Sequence, residues 1–213
     1  MSAAKRKLIV MVSSTVYGIE ELLDRIYVLL TRFGYEVWMS HKGTLPVLSS
    51  RTAFQNCLEA VEKCDLFLAI LTPSYGSGKD PGKPDEPSIT HQEIRRAIEL
   101  RKPRWLLAHD HVVFARSLLK NLGFDGKGGR KDLTLKRTQI LDDLRVIDLY
   151  EEATLDSVEV PLSERAGNWV QKFETTQDAS LFIVAQFSRY QEAESFIEEN
   201  FSSQVARKGE GEA

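Results

Sequence analysis

Two short, uninterrupted apolar runs restrict the fold of this chain more than any other feature of its sequence. The runs are KLIVMV (7–12) and DLFLAILT (65–72). Their length and their aliphatic content are typical of strands that are buried on both faces of a parallel sheet. Helices must cover such a sheet on both sides, so the segments around these runs are expected to supply helices.

The segments between and after these runs supply the remaining elements of such a sheet. Helices are indicated by apolar residues at helical spacing, and strands by alternation or by short apolar runs. In chain order, the pattern predicts a helix over 17–34, a strand over 35–40, a loop over 41–50, a helix over 51–64 capped by Ser50, a long Gly/Pro loop over 73–87, a helix over 88–101 and a fourth strand over 104–110. Strands and helices that alternate with short links predict right-handed βαβ units.

The second half of the chain is patterned less regularly. It contains, in order, a helical segment (111–124), a basic loop (125–137) that grades into a helix (134–144), a candidate fifth strand RVIDLY (145–150), a candidate edge strand NWVQKF (168–173) and a strong helix (175–201). The whole pattern predicts an α/β fold: a flavodoxin-like, doubly wound parallel sheet with helices on both faces and a C-terminal helical extension. We expect the domain to occupy residues 1–150, a strand and helix of 151–203 to pack on it, and 204–213 to form a disordered tail.

Charge, apolar run length and cysteine spacing exclude several classes of protein. The net charge of −3 argues against a protein that binds nucleic-acid phosphates through a basic surface. No run approaches the roughly 18 apolar residues of a membrane span, and the first apolar run ends before Ser13, too early for a signal peptide. Cys57 and Cys64 lie about two helical turns apart, too far for a disulfide. We therefore expect a cytoplasmic protein with reduced thiols and no membrane or nucleic-acid partner.

The expected ligand site lies where the strand order reverses, between strands 1 and 3 of a flavodoxin-like sheet. Two loops meet there: SSTVYG (13–18) and the long 73–87 loop. A loop as long as the second is often a binding loop or a lid. The hydroxyls of Ser13, Ser14 and Thr15, with the free N–H groups of the next helix, suit phosphate or ribose oxygens. Ser14 or Thr15 could equally be the N-cap of that helix.

Glu93 lies early in the helix after the third strand, and the sequence allows two roles for it. Thr90 and Glu93 match a capping box, S/T-x-x-E, in which the carboxylate bends back onto the Thr90 N–H. If Ser88 is the N-cap instead, Glu93 occupies the fifth helical position and is free to point into the crevice. Spacing alone does not choose between a structural and a chemical role.

Other side chains near the two loops are weaker candidates for substrate binding. Tyr17 and Tyr75 flank the expected crevice and could stack on a base, although ordinary packing explains them equally well. Gly76 follows Tyr75 in the loop that would hold a nucleotide, and His41 follows the second strand. His91 starts the third helix, where a solvated first-turn residue is the simpler interpretation.

Three further patterns are discounted. GSGKDPGKP looks like a phosphate loop, but its glycine spacing is one residue too long and a proline replaces the hydroxyl residue of a Walker A motif. His109 and His111 are expected on one face of a strand with no further ligand evident, so we expect strand-end packing and no metal. The basic stretch 126–137 lacks interleaved aromatics and is expected to be a solvated loop. Arg95 and Arg96 are expected to form surface salt bridges, although either could reach a pyrophosphate.

Four motifs in order give the chain a resemblance to a known family. They are KLIVMVSSTVYG at the first strand, GYEVWMS at the second, AVEKCDLFLAILTPSYGSG at the third and SITHQEIRRAIELRKP at the helix after it. They resemble a widespread bacterial TIR-like family catalogued as a domain of unknown function, whose first strand ends in VSST and whose third helix opens S-x-T-x-x-E. The match covers roughly residues 7–110. More distantly, the layout is similar to TIR domains and to nucleoside 2-deoxyribosyltransferases.

The resemblance implies an enzyme that cleaves an N-glycosidic bond. In TIR domains and in nucleoside 2-deoxyribosyltransferases, a glutamate early in the helix after the third strand acts on that bond, and Glu93 matches its position. The resemblance therefore implies an NAD glycohydrolase or cyclase of antiphage defence or nucleotide signalling, with Glu93 catalytic, NAD as substrate and no other cofactor. It also places the 41–50 loop where TIR domains have their assembly loop, so self-assembly into oligomers is expected.

Two other hypotheses remain open. The chain could be a nucleoside 2-deoxyribosyltransferase or a nucleotide N-glycosidase, which the reaction products would distinguish. It could also be a non-catalytic module that binds a nucleotide or recruits a partner. The non-catalytic hypothesis gains support because a capping role would occupy Glu93 and because no second acid or base is evident nearby.

Overall fold

A computed structural model describes residues 6–76, 86–136, 140–155 and 170–189 of the chain. Within these residues, five parallel strands form one sheet in the order β2-β1-β3-β4-β5. The prediction of a flavodoxin-like doubly wound sheet is confirmed, because this order places β3 beside β1 and β2 outside them. The strands are β1 (Ile9–Ser14), β2 (Glu36–Trp38), β3 (Leu66–Leu71), β4 (Arg104–His109) and β5 (Val170–Phe173).

Helices on both faces cover this sheet, and none of those described is long and apolar enough to cross a bilayer. The helices are α1 (Glu20–Arg32), α2 (Ala53–Lys63), α3 (Ile89–Glu99), α4 (Asp110–Asn121), α5 (Gly126–Arg130), α6 (Arg145–Leu155) and α7 (Thr176–Phe187), with a short 3-10 helix at Ser40–Lys42. Some predicted segments lie outside the described residues: part of the 73–87 loop, the end of the 175–201 helix and the tail at 204–213.

Alternation of side chains along the strands divides the core into two layers. On β1, Val10 and Val12 face the side where α1 and α7 pack. Met11 faces the opposite side together with Phe67 of β3, and α2, α3 and α6 cover that side. Ser13 follows Met11 with the same orientation, so β1 directs a hydroxyl toward α2 and α3 at the point where the strand ends.

The fifth strand is not the segment that apolar content suggests. The prediction of a strand at RVIDLY (145–150) is wrong, because these residues begin α6. Val146, Ile147 and Leu149 are buried there, and short apolar runs can be buried on a helix as readily as on a strand. The candidate edge strand at 168–173 is confirmed over the part that the structure describes, as β5 (Val170–Phe173), which pairs with β4 in parallel.

The helix predicted over 134–144 is not formed in the described residues of that range. Aspartates near its end make hydrogen bonds that compete with a helix. Asp142 Oδ1 accepts the N–H of Tyr75 at 2.8 Å, and Asp143 Oδ1 accepts the first N–H of α6 at 3.0 Å. These bonds tie the segment to the loop after β3 and start α6.

Two expected helix caps are wrong. Ser50 does not cap α2, because Thr52 is its N-cap. The Thr52 hydroxyl accepts the Gln55 N–H at 3.2 Å, and the Gln55 side chain accepts the Thr52 N–H at 2.9 Å, which completes a capping box. Ser14 and Thr15 do not cap α1, which begins several residues later without a side-chain cap.

The sequence suggests that the basic stretch 126–137 is a solvated loop, but part of this prediction is wrong. It begins with α5, and the side chain of Arg130 is only 3% exposed. The guanidinium donates to Asp148 and to Glu151 of α6 at 2.6 Å each. A buried cation needs such partners, so Arg130 helps to attach α5 to α6.

Candidate active site

The helix that carries Glu93, α3, begins after Ser88 and not after Thr90. Ser88 has the extended backbone of an N-cap, and its hydroxyl accepts the N–H of His91 at 3.4 Å. Glu93 is therefore the fifth residue of the helix, and the capping-box role is wrong. The carboxylate does not fold onto the amides of its own helix and is available to other elements.

The Glu93 carboxylate is buried at the carboxyl end of β1, with 6% of the residue exposed. The Ser13 hydroxyl donates a hydrogen bond to Glu93 Oε2 at 2.5 Å. In the sheet, Ser13 is the register partner of Ala69 of β3, whose methyl group occupies little of the space on that face. An acidic group therefore lies at the point between β1 and β3 where doubly wound sheets bind their ligands.

Cys57 of α2 is the second hydrogen-bond partner of Glu93. Burial, and then the nearby charge of Glu93, raises the pKa of the Cys57 thiol from 9.0 to about 12. The thiol therefore stays protonated at neutral pH and donates to the carboxylate instead of acting as a nucleophile. Cys57 is partly buried on α2, and no motif in the sequence indicates that Glu93 is its neighbour.

The electrostatic state of Glu93 is unusual for a carboxyl group. Burial raises its pKa from 4.5 to about 7, because the hydrogen bonds from Ser13 and Cys57 only partly offset the loss of water. No cation in the described part of the chain forms an ion pair with this carboxylate. Protonated and ionised Glu93 are therefore present in comparable amounts near neutral pH, as a group that transfers protons requires.

The loops after β1 and β3 contact each other, as the strand order requires. The buried hydroxyls of Thr15 and Thr72 are hydrogen-bonded to each other. Gly76 has φ +93°, and a Cβ there would lie 2.7 Å from the Thr15 methyl carbon, so only glycine permits this approach. Ser14 donates to the Thr15 carbonyl at 2.8 Å and, by alternation along β1, faces the side opposite Glu93.

Tyr17 and His41 are not brought to Glu93. Tyr17 is 70% exposed in the turn before α1. His41 Nε2 lies 3.3 Å from Asp24 of α1, which belongs to the other face of the sheet. Among the described residues, no hydrogen bond, ion pair or ring contact joins either side chain to Glu93, so their proposed role in substrate binding gains no support.

Tyr75 and His91 belong to a separate buried network beside α3. The Tyr75 hydroxyl lies 2.6 Å from His91 Nδ1, and His91 Nε2 lies 3.0 Å from Glu152 of α6. Arg95 donates two bonds to the same carboxylate at 2.7 and 2.6 Å, the salt bridge expected of it. Burial alone would raise the pKa of Glu152, but the bonds from Arg95 and His91 hold it at about 2.

This network corrects the expectation that His91 is solvated, because its side chain is 3% exposed and both ring nitrogens have partners. It joins the loop after β3, the first turn of α3 and α6. Glu93 is two residues along α3 from His91. The network is therefore positioned to hold the carboxylate against Ser13.

A narrow cavity lies under the loop after β3, and Glu93 does not line it. It has room for about one water molecule. Its polar lining consists of hydroxyl groups from Thr15, Thr72, Ser74, Tyr75 and Thr90.

A larger groove of about 490 Å³ lies between α3, α5 and α6. Its charged lining residues include Arg95, Asp148, Glu151 and Glu152. These side chains are already engaged in the ion pairs described above. Glu93 is not among the residues that line this groove.

His109 and His111 do not share a strand face, because β4 ends at His109 and α4 begins at Asp110. The His109 ring packs against Phe173 of β5, with ring centroids 5.3 Å apart, as expected at a strand end. Burial, followed by the charge on His111, lowers the pKa of His109. The His109 imidazole is therefore neutral at pH 7.

A family model described as "Domain of unknown function (DUF4062)" matches residues 9–200 of the chain. The match begins at the first residue of β1 and extends beyond α7, so it includes every strand of the described sheet. A comparison with curated proteins gives no match.

Proposed function

The chain belongs to the DUF4062 family, and from that premise and the surroundings of Glu93 we propose that it cleaves the N-glycosidic bond of NAD or a similar nucleotide. One observation carries the proposal. A buried carboxylate lies at the ligand-binding edge of the sheet and is balanced, within the described residues, by a hydroxyl and a thiol but by no cation. Such a group opposes folding, and displaced pKa values of this kind are concentrated at functional sites.

The chemistry of an N-glycosidic bond suits a single buried carboxylate. When the bond breaks, positive charge develops on C1′ and on the ring oxygen of the ribose. A carboxylate that has lost its water interacts with that charge more strongly than one in bulk solvent. Glu93 is therefore proposed to stabilise the cation or to bond to C1′ transiently.

The electrons and protons of the proposed hydrolysis can be accounted for without a second acidic residue. The electron pair of the broken bond leaves with nicotinamide, which departs as a neutral base and needs no proton. Water then adds to C1′ and loses one proton. Glu93 is proposed to accept that proton, because its pKa of about 7 is well matched to the task at neutral pH.

Substrate access requires rearrangement at the carboxylate. Ser13 and Cys57 occupy the positions from which ribose hydroxyls would donate to Glu93. We propose that the substrate replaces these donors when the end of β1 or α2 shifts. Turnover is therefore expected to be slow. The assay uses concentrated protein because self-assembly is also expected.

The test incubates the concentrated full chain with NAD, and separately with a panel of nucleosides, and identifies the products by mass spectrometry. The wild type should release nicotinamide from NAD. Glu93→Gln preserves the size of the side chain but removes its charge, so the rate should fall by roughly 100-fold or more. Glu99→Gln is the matched control, because Glu99 lies on the same helix and is 63% exposed. Nicotinamide release that Glu93→Gln leaves undiminished would refute the proposed role.

One observation favours a non-catalytic alternative. Glu93 already has two donors, Ser13 and Cys57, and it lines neither of the two cavities described above. The alternative is a module that binds a nucleotide without altering it. It predicts no product from any substrate and equal nucleotide binding by wild type and Glu93→Gln. Base exchange on a deoxynucleoside, with NAD left intact, would instead indicate a deoxyribosyltransferase.

A further inference from the structure

A second group of chemically active side chains lies at the end of β4, on the other face of the sheet from Glu93. His109 is the last residue of β4, and Asp110 and His111 begin α4. One potential ligand atom from each of the three residues lies within 4.8 Å of the others. Asp110 Oδ1 is 2.9 Å from His109 Nδ1 and 4.0 Å from His111 Nε2.

Helix capping explains only part of this arrangement. His109 is the N-cap of α4, and its Nδ1 accepts the His111 N–H at 3.2 Å. Asp110 Oδ1 is fully buried and has no hydrogen-bond partner in the described part of the chain. While Nδ1 accepts the His111 N–H it has no proton to donate to Asp110 Oδ1, and a cation between these two atoms would satisfy both.

From this geometry we propose that His109, Asp110 and His111 form a binding site for a divalent transition-metal ion such as Zn²⁺. Two imidazoles and one carboxylate are a donor set that Zn²⁺ accepts, with a fourth position open to water. Ligand atoms around a tetrahedral zinc ion lie roughly 3.4 Å apart. The distances from Asp110 Oδ1 to the two imidazole nitrogens, 2.9 and 4.0 Å, lie on either side of that value. The Nδ1 lone pair that accepts the His111 N–H is the one that a metal ion would use, so metal binding at this atom would replace the capping bond.

The surroundings fit a cation. Glu174 directly follows β5, and its carboxylate acts electrostatically on the His109 ring. The Phe173 ring packs edge-on against the same imidazole. A metal ion would therefore join the end of β4 to the start of α4 beside the edge strand, and would stabilise the folded chain by mass action.

The test uses the full chain after treatment with EDTA and removal of the chelator. Zn²⁺ is titrated in competition with a chromophoric chelator, and Co²⁺ is added separately to look for the visible absorption of a tetrahedral site. We expect one Zn²⁺ per chain with a Kd of about 1 µM or tighter. Zn²⁺ should also raise the melting temperature of the wild type.

Two variants and one control make the result specific. His111→Ala removes a side chain that is 47% exposed, so the fold should tolerate it, and Asp110→Asn preserves the size of the carboxylate. Loss of an outer-shell partner weakens metal binding by roughly 10- to 100-fold. Each of these variants removes a direct ligand and should weaken Zn²⁺ binding at least as much. His41→Ala is the control, because His41 also lies beside an aspartate, Asp24, but outside this cluster. Wild-type binding weaker than about 100 µM, or equal binding by the wild type and both cluster variants, would overturn the proposal.

Discussion

Replacing Glu93 with glutamine is expected to stabilise the folded protein at alkaline pH, although it removes the group that the proposed reaction requires. In the folded chain, burial raises the pKa of Glu93 from 4.5 to about 7. In the unfolded chain, water restores the ordinary pKa of the carboxyl group. Folding therefore favours the protonated form, and ionised Glu93 opposes folding.

The magnitude follows from linkage between protonation and folding. A pKa that moves from 4.5 to about 7 corresponds to roughly 3 kcal/mol of destabilisation once Glu93 is ionised in both states. The destabilisation is absent well below pH 4.5, grows as the pH rises between the two pKa values and is complete above about pH 7. Glutamine carries no charge, so the stability of Glu93→Gln relative to wild type should increase by about 2 to 3 kcal/mol between pH 5 and pH 8.

Urea denaturation of both proteins at pH 5 and at pH 8 measures this difference. Comparing variant with wild type at each pH removes the titration of groups that the substitution does not affect. Glu99→Gln, on the exposed side of the same helix, should show no change with pH relative to wild type. If the free energy of unfolding of Glu93→Gln relative to wild type is equal at both pH values, or decreases as pH rises, burial does not displace the pKa of this carboxyl group.

Thr52→Ala should lower the free energy of unfolding by about 1 kcal/mol, because α2 loses its capping box, and urea denaturation would detect the loss. Arg130→Ala should lower it by about 3 kcal/mol, because two carboxylates of α6 lose the buried cation that they share; a loss near zero would indicate that water solvates them. Cys57 should react slowly with iodoacetamide at pH 8, because its pKa of about 12 leaves little thiolate. The reaction, followed by mass spectrometry, should accelerate in Glu93→Gln, and equal rates would show that Glu93 does not act on the thiol.

The order of the sheet can be predicted from local patterns because its central strands are distinct in the sequence. β3 is buried at all six positions, and its continuous apolar run indicates as much. The ends of strands are harder to predict. β1 continues beyond its apolar run, because Ser13 and Ser14 pair with Ala69 and Ile70 of β3, and the partner strand decides where pairing stops.

Segments whose apolar pattern suits both a helix and a strand are decided by their surroundings. RVIDLY (145–150) becomes the start of α6 because Leu149 packs under the sheet beside α3, and Val146 and Ile147 pack near α4. The free edge of β4 is instead occupied by β5, from much later in the chain. Propensity alone does not select between these outcomes, because the stabilising contacts come from distant residues.

The sequence by itself determined that a hydroxyl-rich turn ends the first strand and that an acid lies early in the third helix, because both follow from the order of residues along the chain. Only the tertiary structure decided that Ser88 caps α3, that Ser13 and Cys57 bond to Glu93, and that this carboxylate has lost its water. Ser13 and Glu93 are 80 residues apart. Burial and pKa depend on which groups approach one another across such distances, and no local pattern encodes that approach.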